Sequence, residues 1–308
     1  MRILTLILAF YSLTAFALPK REYISDARMG DVKDYRIGSE WGKNRVTTAM
    51  IKGESPAFVR AVSATAKMPK GGTAFYLGKF GDAHIIATNH HVCPTRTYCS
   101  GDYASFPVLK KKFKVVGFYI TLPQIDLTLL KIKVKEKEEA ALMAVGKNFS
   151  FKKDVTKGMD LITAGFGIGG NPGEVLMVNQ DSDCKVYSGD AEYRFMADPD
   201  NMNPGTYKAW SFAHSCDISH GDSGSAMVER STGDVVGIVW TGKLPKSKEV
   251  QTSEALIHLL ENPTEAIWEE LAYAVPSPKI AEVLKMVLGD KHLAPETRTA
   301  IEAVLSDP

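Results

Sequence analysis

The sequence predicts an all-β protein with helical additions toward its C-terminus, and three observations carry that reading. Residues 55–245 are a succession of short apolar runs broken by turn residues. These runs are not interleaved with helix-length amphipathic stretches, as a parallel sheet would require. Only beyond Trp240 do apolar residues recur at three- and four-residue steps.

In chain order, the first element is MRILTLILAFYSLTAFALPK, in which Arg2 precedes an apolar run at 3–16 and Ala15-Phe16-Ala17. The pattern is that of an export signal cleaved after Ala17, because the run falls short of the roughly 20 apolar residues that span hydrocarbon. Residues 18–54 are polar, mixed in charge and without a period, and read as an N-terminal extension or leader. The strand-like runs follow: 58–66, 73–78, 83–88, 114–120, 126–134, 160–166, 174–179, 184–187, 224–228 and 234–240. Gly81-Asp82 makes the second and third of these a hairpin. Thr252 or Ser253 caps a helix through Glu261, Asn262-Pro263 breaks it, and Thr264 caps another through Leu271. AYAVPS (272–277) reads as one more strand before two terminal helices. The expected organisation is a signal (1–17), an extension (18–54), a first β unit (55–148), a second (149–277) with a helical insertion at 243–270, and C-terminal helices (278–308).

With 37 basic and 36 acidic residues among 308, the net charge is +1, and no overall field draws the chain to nucleic acid. Export makes disulfides permissible, and the four cysteines are an even number. His90, His91, Cys93 and Cys99 match no metal-ligand spacing. GFGIGG (165–170) spells a dinucleotide fingerprint, but Pro172-Gly173 stand where its phosphate-binding helix should begin. No cofactor and no metal are expected.

The chemistry concentrates in three stretches. In HSCDISHGDSGSAMV (214–228), Ser223 lies between glycines on a tight turn, where the backbone can bend so that amide hydrogens converge on one point. A serine hydroxyl becomes a nucleophile only when a neutral imidazole accepts its proton and a buried carboxylate orients that imidazole. ATNHHV supplies a histidine at a strand end and PQIDLTLLKI an aspartate at a strand start.

Thr-x-x-His-Val, then Asp-Leu-x-Leu-Leu-Lys, then Gly-Asp-Ser-Gly-Ser, in that order, resembles the chymotrypsin-fold serine endopeptidases. Within them the text looks more like bacterial exported members of the trypsin and glutamyl-endopeptidase kind. GTAFYLG (72–78), AGFG (164–167), GIVWTG (237–242) and AYAVPS resemble further family segments, so the likeness covers about residues 58–288. It implies two packed six-stranded antiparallel barrels acting on a protein or peptide substrate. It also implies Ser223 as nucleophile, His91 as base, Asp126 as its orienter, and the Gly221 and Ser223 amides as the oxyanion hole. His90, one residue out of frame, faces away. Trp240, Thr241 and Gly242 would line the cleft, with His220 at its rim. Asp217, six residues before the nucleophile, would sit at the floor of the specificity pocket and favour Lys or Arg, with acidic or small residues as the alternative. Similar proteins imply Cys93–Cys99 and Cys184–Cys216 as disulfides. In zymogen-type members the equivalent of Asp222 pairs with a new α-amino group, which would make residues 18–54 a removable leader. Two features depart from the family: Ser225-Ala226 replace its usual Gly-Pro, and no Ile-Val-Gly-Gly-like terminus is visible. The expected location is periplasmic or secreted, with no membrane anchor after signal removal.

Overall fold

A computed structural model of the chain describes residues 32–143, 145–146, 148–171, 175–199 and 207–306. The signal at 1–17 lies outside the described residues. The chain enters through β1 (Lys43–Arg45), α1 (Thr48–Gly53) and α2 (Pro56–Ala64). The run at 58–66 is thus mostly helix rather than strand. Ser55 accepts from the Phe58 N–H as N-cap, Pro56 starts the first turn, and Phe58, Ala61 and Val62 fall on one buried face.

The first barrel is built from β2 (Thr65–Lys67), β3 (Thr73–Phe80), β4 (Ala83–Thr88), β5 (Tyr103–Phe106), β6 (Lys111–Leu122) and β7 (Leu127–Lys133), with the short helix α3 (Arg96–Cys99) between β4 and β5. It closes in the order β2-β3-β4-β7-β6-β5, all antiparallel, through Lys67 opposite Ser105. The β3–β4 hairpin turns at Gly81, whose φ of 58° suits glycine. Along β6, Phe113 and Val115 point into the barrel while Lys112 and Lys114 point out. That alternation is the strand period.

After α4 (Glu136–Met143) come β8 (Leu161–Gly165), β9 (Met177–Asn179), β10 (Arg194–Ala197), β11 (Lys208–His214), β12 (Ala226–Glu229), β13 (Val235–Gly242) and β14 (Ala272–Pro276). These seven strands and β1 form one eight-stranded sheet in the order β1-β9-β8-β12-β13-β14-β11-β10. The expected all-β fold with a six-stranded first barrel is present, and the second half adds β1 and β10 at its sheet edges. The run at 184–187 makes only isolated bridges at Lys185 and Val186, and Cys184 is tied to Cys216.

α5 (Ser253–Glu261) begins where expected, with Thr252 accepting from the Ala255 N–H, and α6 (Ala266–Glu270) follows. Leu256, Ile267 and Trp268 of this insertion are buried in the core. α7 (Ser277–Val287) and α8 (Pro295–Ser306) bury Ile280, Val283 and Leu284, and Ala300, Ile301 and Val304. Among the described residues no helix is long and apolar enough to cross a membrane. Cys93 is bonded to Cys99 and Cys184 to Cys216, the pairing expected.

Candidate active site

β4 ends at Thr88, and the chain then turns through residues 89–93 above the barrel mouth. The turn is pinned from within: the Cys93 N–H donates to Asn89 O (3.1 Å), Thr128 Oγ1 to Cys93 O (2.9 Å), and the Cys93–Cys99 bond closes it. His91 projects from this turn, its side chain 29% exposed, while Asp126 is fully buried beneath it. The His91 ring Nδ1 lies 2.7 Å from Asp126 Oδ2, and the His91 backbone N–H donates to Oδ1 at 3.1 Å. Two bonds to one carboxylate fix both the tilt and the tautomer of the ring, leaving its far nitrogen directed away from Asp126.

Asp126 holds this position at a backbone cost. Its φ and ψ of 37° and 46° lie in the left-handed region that non-glycine residues seldom occupy. The Asp126 N–H donates to Pro123 O (2.9 Å) and Asn89 Nδ2 donates to Asp126 O (2.9 Å), and these bonds over-determine the strained residue. His90 turns the other way, with its Nδ1 2.7 Å from Thr121 Oγ1 on β6. Burial lowers its pKa, with Asp126 pulling the other way.

A residue the sequence reading passed over completes the carboxylate's shell. The Tyr207 hydroxyl donates to Asp126 Oδ1, and its ring stacks on His90 and meets His91 and Trp240 edge-on. Burial, and then the Asp126 charge, push the phenol pKa far upward, so it stays a donor. Nothing in the sequence around 207 signals this: a lone Tyr preceding a strand is a common core residue.

Ser223 is half-buried on the turn between β11 and β12. Gly224 has a φ of 89°, and a Cβ there would meet Thr73 O at 2.0 Å and Thr88 Oγ1 at 2.5 Å, so only glycine fits. Thr73 is the hub between the two stretches. Its N–H donates to Ser223 O (2.8 Å), its Oγ1 to Gly221 O (2.8 Å), and its carbonyl accepts from Thr88 Oγ1 (2.6 Å), on the strand leading to His91. The His91 turn and the Ser223 turn are thus seated on one residue. Nothing in GTAFYLG marks Thr73 as more than a strand residue.

The His220 carbonyl accepts from the Ile168 N–H at 2.8 Å. Because C=O and N–H point oppositely across a trans peptide, the Gly221 N–H is directed away from residues 166–168. β12 pairs with β13 only as far as Ile238, and Gly224 and Ser225 bond to Val239. Thr241 and Gly242 then pair with β14 on their other side, past an irregularity at Trp240. The Trp240 side chain is buried, donating to Ser211 Oγ (3.0 Å), and Thr241 Oγ1 donates to Asp198.

Asp217 lies where the N-terminal segment reaches the loop that carries Ser223. It is 1% exposed, and its two oxygens accept from the backbone N–H groups of Ile37 (2.6 Å) and Gly42 (2.7 Å). Burial pushes its pKa up to about 7 against the pull of those amides. Both carboxylate oxygens are thus taken up by the N-terminal segment.

A model of the trypsin-like peptidase domain matches residues 72–238. The active form of the Rv3671c protease from M. tuberculosis aligns with a TM-score of 0.47 at 16% identity, covering 79% of this chain and 87% of that one. An inactive form of Rv3671c from M. tuberculosis H37Rv, a serine-to-alanine variant, aligns at 0.48 and 14% identity, with 82% and 99% covered. An HtrA-type protease, AlgW, with a tripeptide aligns at 0.45 and 16% identity, with 77% and 63% covered. Among curated proteins no match is found.

Proposed function

The chain belongs to the trypsin-like peptidase family, and on that premise we propose that it is an exported serine endopeptidase working through Ser223, His91 and Asp126. The observation that carries this reading is the pairing of the His91 ring with a fully buried Asp126. Such a pair holds the imidazole as the tautomer whose far nitrogen can accept a proton. In this reaction that nitrogen takes the Ser223 hydroxyl proton as Oγ attacks the substrate carbonyl. The Gly221 and Ser223 amides stabilise the resulting oxyanion. His91 returns the proton to the leaving amine, giving an acyl-enzyme, and a water deprotonated by His91 then releases the acid. An extended substrate would lie along the 240–242 backbone. We assign Asp217 to the N-terminal segment rather than to a substrate Lys or Arg. Two disulfides and the apolar N-terminal run support export.

The test is covalent labelling with a fluorophosphonate. Wild-type protein should label stoichiometrically and Ser223→Ala not at all, with peptide hydrolysis lost in parallel. Equal labelling of the two would remove Ser223 from its role, and an unreactive, fully folded wild type would make the chain a binding protein on a protease fold.

A further inference from the structure

The segment before the first barrel does not lie loosely on the surface. Tyr35 and Ile37 are buried, the Gly38 N–H donates to Val250 O at 2.8 Å, and β1 pairs with β9 from Lys43 to Arg45. The segment grips the nucleophile loop at two points. Asp217, at the start of the loop, accepts from Ile37 and Gly42. Asp222, the residue immediately before Ser223, is ion-paired with the Lys43 ammonium, and the two side chains are 1% and 3% exposed. The other contacts of Asp222 all come from the surrounding loops: Gly167 N–H to Oδ1 (3.0 Å), and Ser219 N–H (2.8 Å) and Oγ (3.3 Å) to Oδ2. A side chain at Gly165 or Gly167 would strike the Asp222 carboxylate, so the cradle fits this residue closely.

We propose that Lys43 is a positioning residue for the reaction: its side-chain ammonium, reaching Asp222 from inside the chain, holds the 217–224 loop in the form that presents the Gly221 and Ser223 amides to the substrate. This rests on the serine reading above. Burying a carboxylate one residue before the nucleophile is costly unless it is both hydrogen-bonded and paired, and here the chain brings its own cation. Without that cation Asp222 seeks water. The loop then leaves the Ile168 and Thr73 contacts that orient the Gly221 peptide, and the oxyanion donors go with it. It follows that residues 35–43 are a working part of the active protein and that no new α-amino group is needed to order the site.

Three variants and one sequencing experiment decide it. Ser223→Ala establishes that labelling reports on the serine. Lys43→Met should lower kcat for a peptide substrate by about 10²–10³-fold, the scale of a lost oxyanion donor, with KM within a few-fold. Lys43→Arg, which keeps the charge, should recover most of that loss. A lysine that merely stabilises the fold would lower the melting temperature of Lys43→Met yet leave kcat intact below it, and that result overturns the proposal. Should Lys43→Met not fold, N-terminal sequencing of fluorophosphonate-labelled wild type decides: labelled chains that contain Lys43 support the latch, and labelled chains that all begin beyond it refute it. A wild type that never labels fails the serine reading itself, a result distinct from either.

Discussion

In the first barrel, His91 and Asp126 are held by contacts from 15 to 37 residues away: Thr88 to Thr73, His91 to Asp126, Thr128 to Cys93 and Asn89 to Asp126. In the second half, the loop carrying Ser223 is gripped from 175 to 180 residues away, by Ile37, Gly42 and Lys43. The proposed base and its proposed orienter are thus held mainly by one closed barrel. The loop carrying Ser223 is also gripped by a segment that precedes the first barrel. Local closure makes the first pair robust to changes elsewhere, whereas a site assembled over long loops is only as ordered as its distant partner. The two halves should therefore fail differently when perturbed.

The largest effect is expected in the first barrel. Asp126→Asn places an amide where the ring Nδ1–H is now accepted, which favours the wrong tautomer. We expect kcat to fall by about 10⁴-fold with the melting temperature little changed, measured by steady-state hydrolysis and calorimetry. A fall of less than about tenfold would mean that the barrel does not orient the base.

A second contrast concerns two buried histidines. His214, on β11, is fully buried, and burial followed by the Lys246 charge lowers its pKa to about 3. The unfolded chain takes up that proton near its ordinary pKa of about 6.5. Between these values the unfolded state binds more protons than the folded one, so stability rises with pH and is lost as pH falls. His84, in the first barrel, is also lowered by burial, but Glu139 nearby opposes the shift. His214→Gln should therefore remove acid sensitivity between about pH 6.5 and 3, on the order of a few kcal/mol, while His84→Gln removes little. Melting temperatures measured across that range check it. Equal flattening by both variants would erase the contrast.

The same division explains what the sequence made legible. Barrel strands such as β3 and β4 announced themselves as short apolar runs between turn residues, and the proposed His91, Asp126 and Ser223 by short motifs in which neighbouring residues carry the signal. The α5 cap at Thr252 was equally local. The α2 helix was misread because its alanine- and valine-rich text suits a strand until Ser55 and Pro56 are weighed as a start signal. The partners of Asp217, Ile37 and Gly42, are invisible in the sequence because they lie in a stretch with no period. Thr73 and Tyr207 escaped for the same reason: a hub or a bridging hydroxyl is defined by what reaches it, not by its sequence neighbours.

Tyr207 also crosses the division, since it enters β11 in the second half yet donates to the carboxylate of the first. If the barrel alone fixed Asp126, its bonds from the His91 N–H and through Asn89 would suffice, and Tyr207→Phe would be silent. The phenylalanine ring keeps the stacking on His90 and the edge contact with Trp240, so the variant removes a hydrogen bond and little else. A bond to a charged acceptor contributes roughly 1.5–3 kcal/mol, but Oδ1 retains the His91 amide as a second donor. We therefore expect kcat to fall by about tenfold, the lower end of that range, with KM nearly unchanged. Because the hydroxyl steadies the carboxylate and not the nucleophile loop, the loss should be additive with that of Lys43→Met within about 0.5 kcal/mol. Strong coupling between the two would show that the halves are locked together through Tyr207 rather than through Thr73.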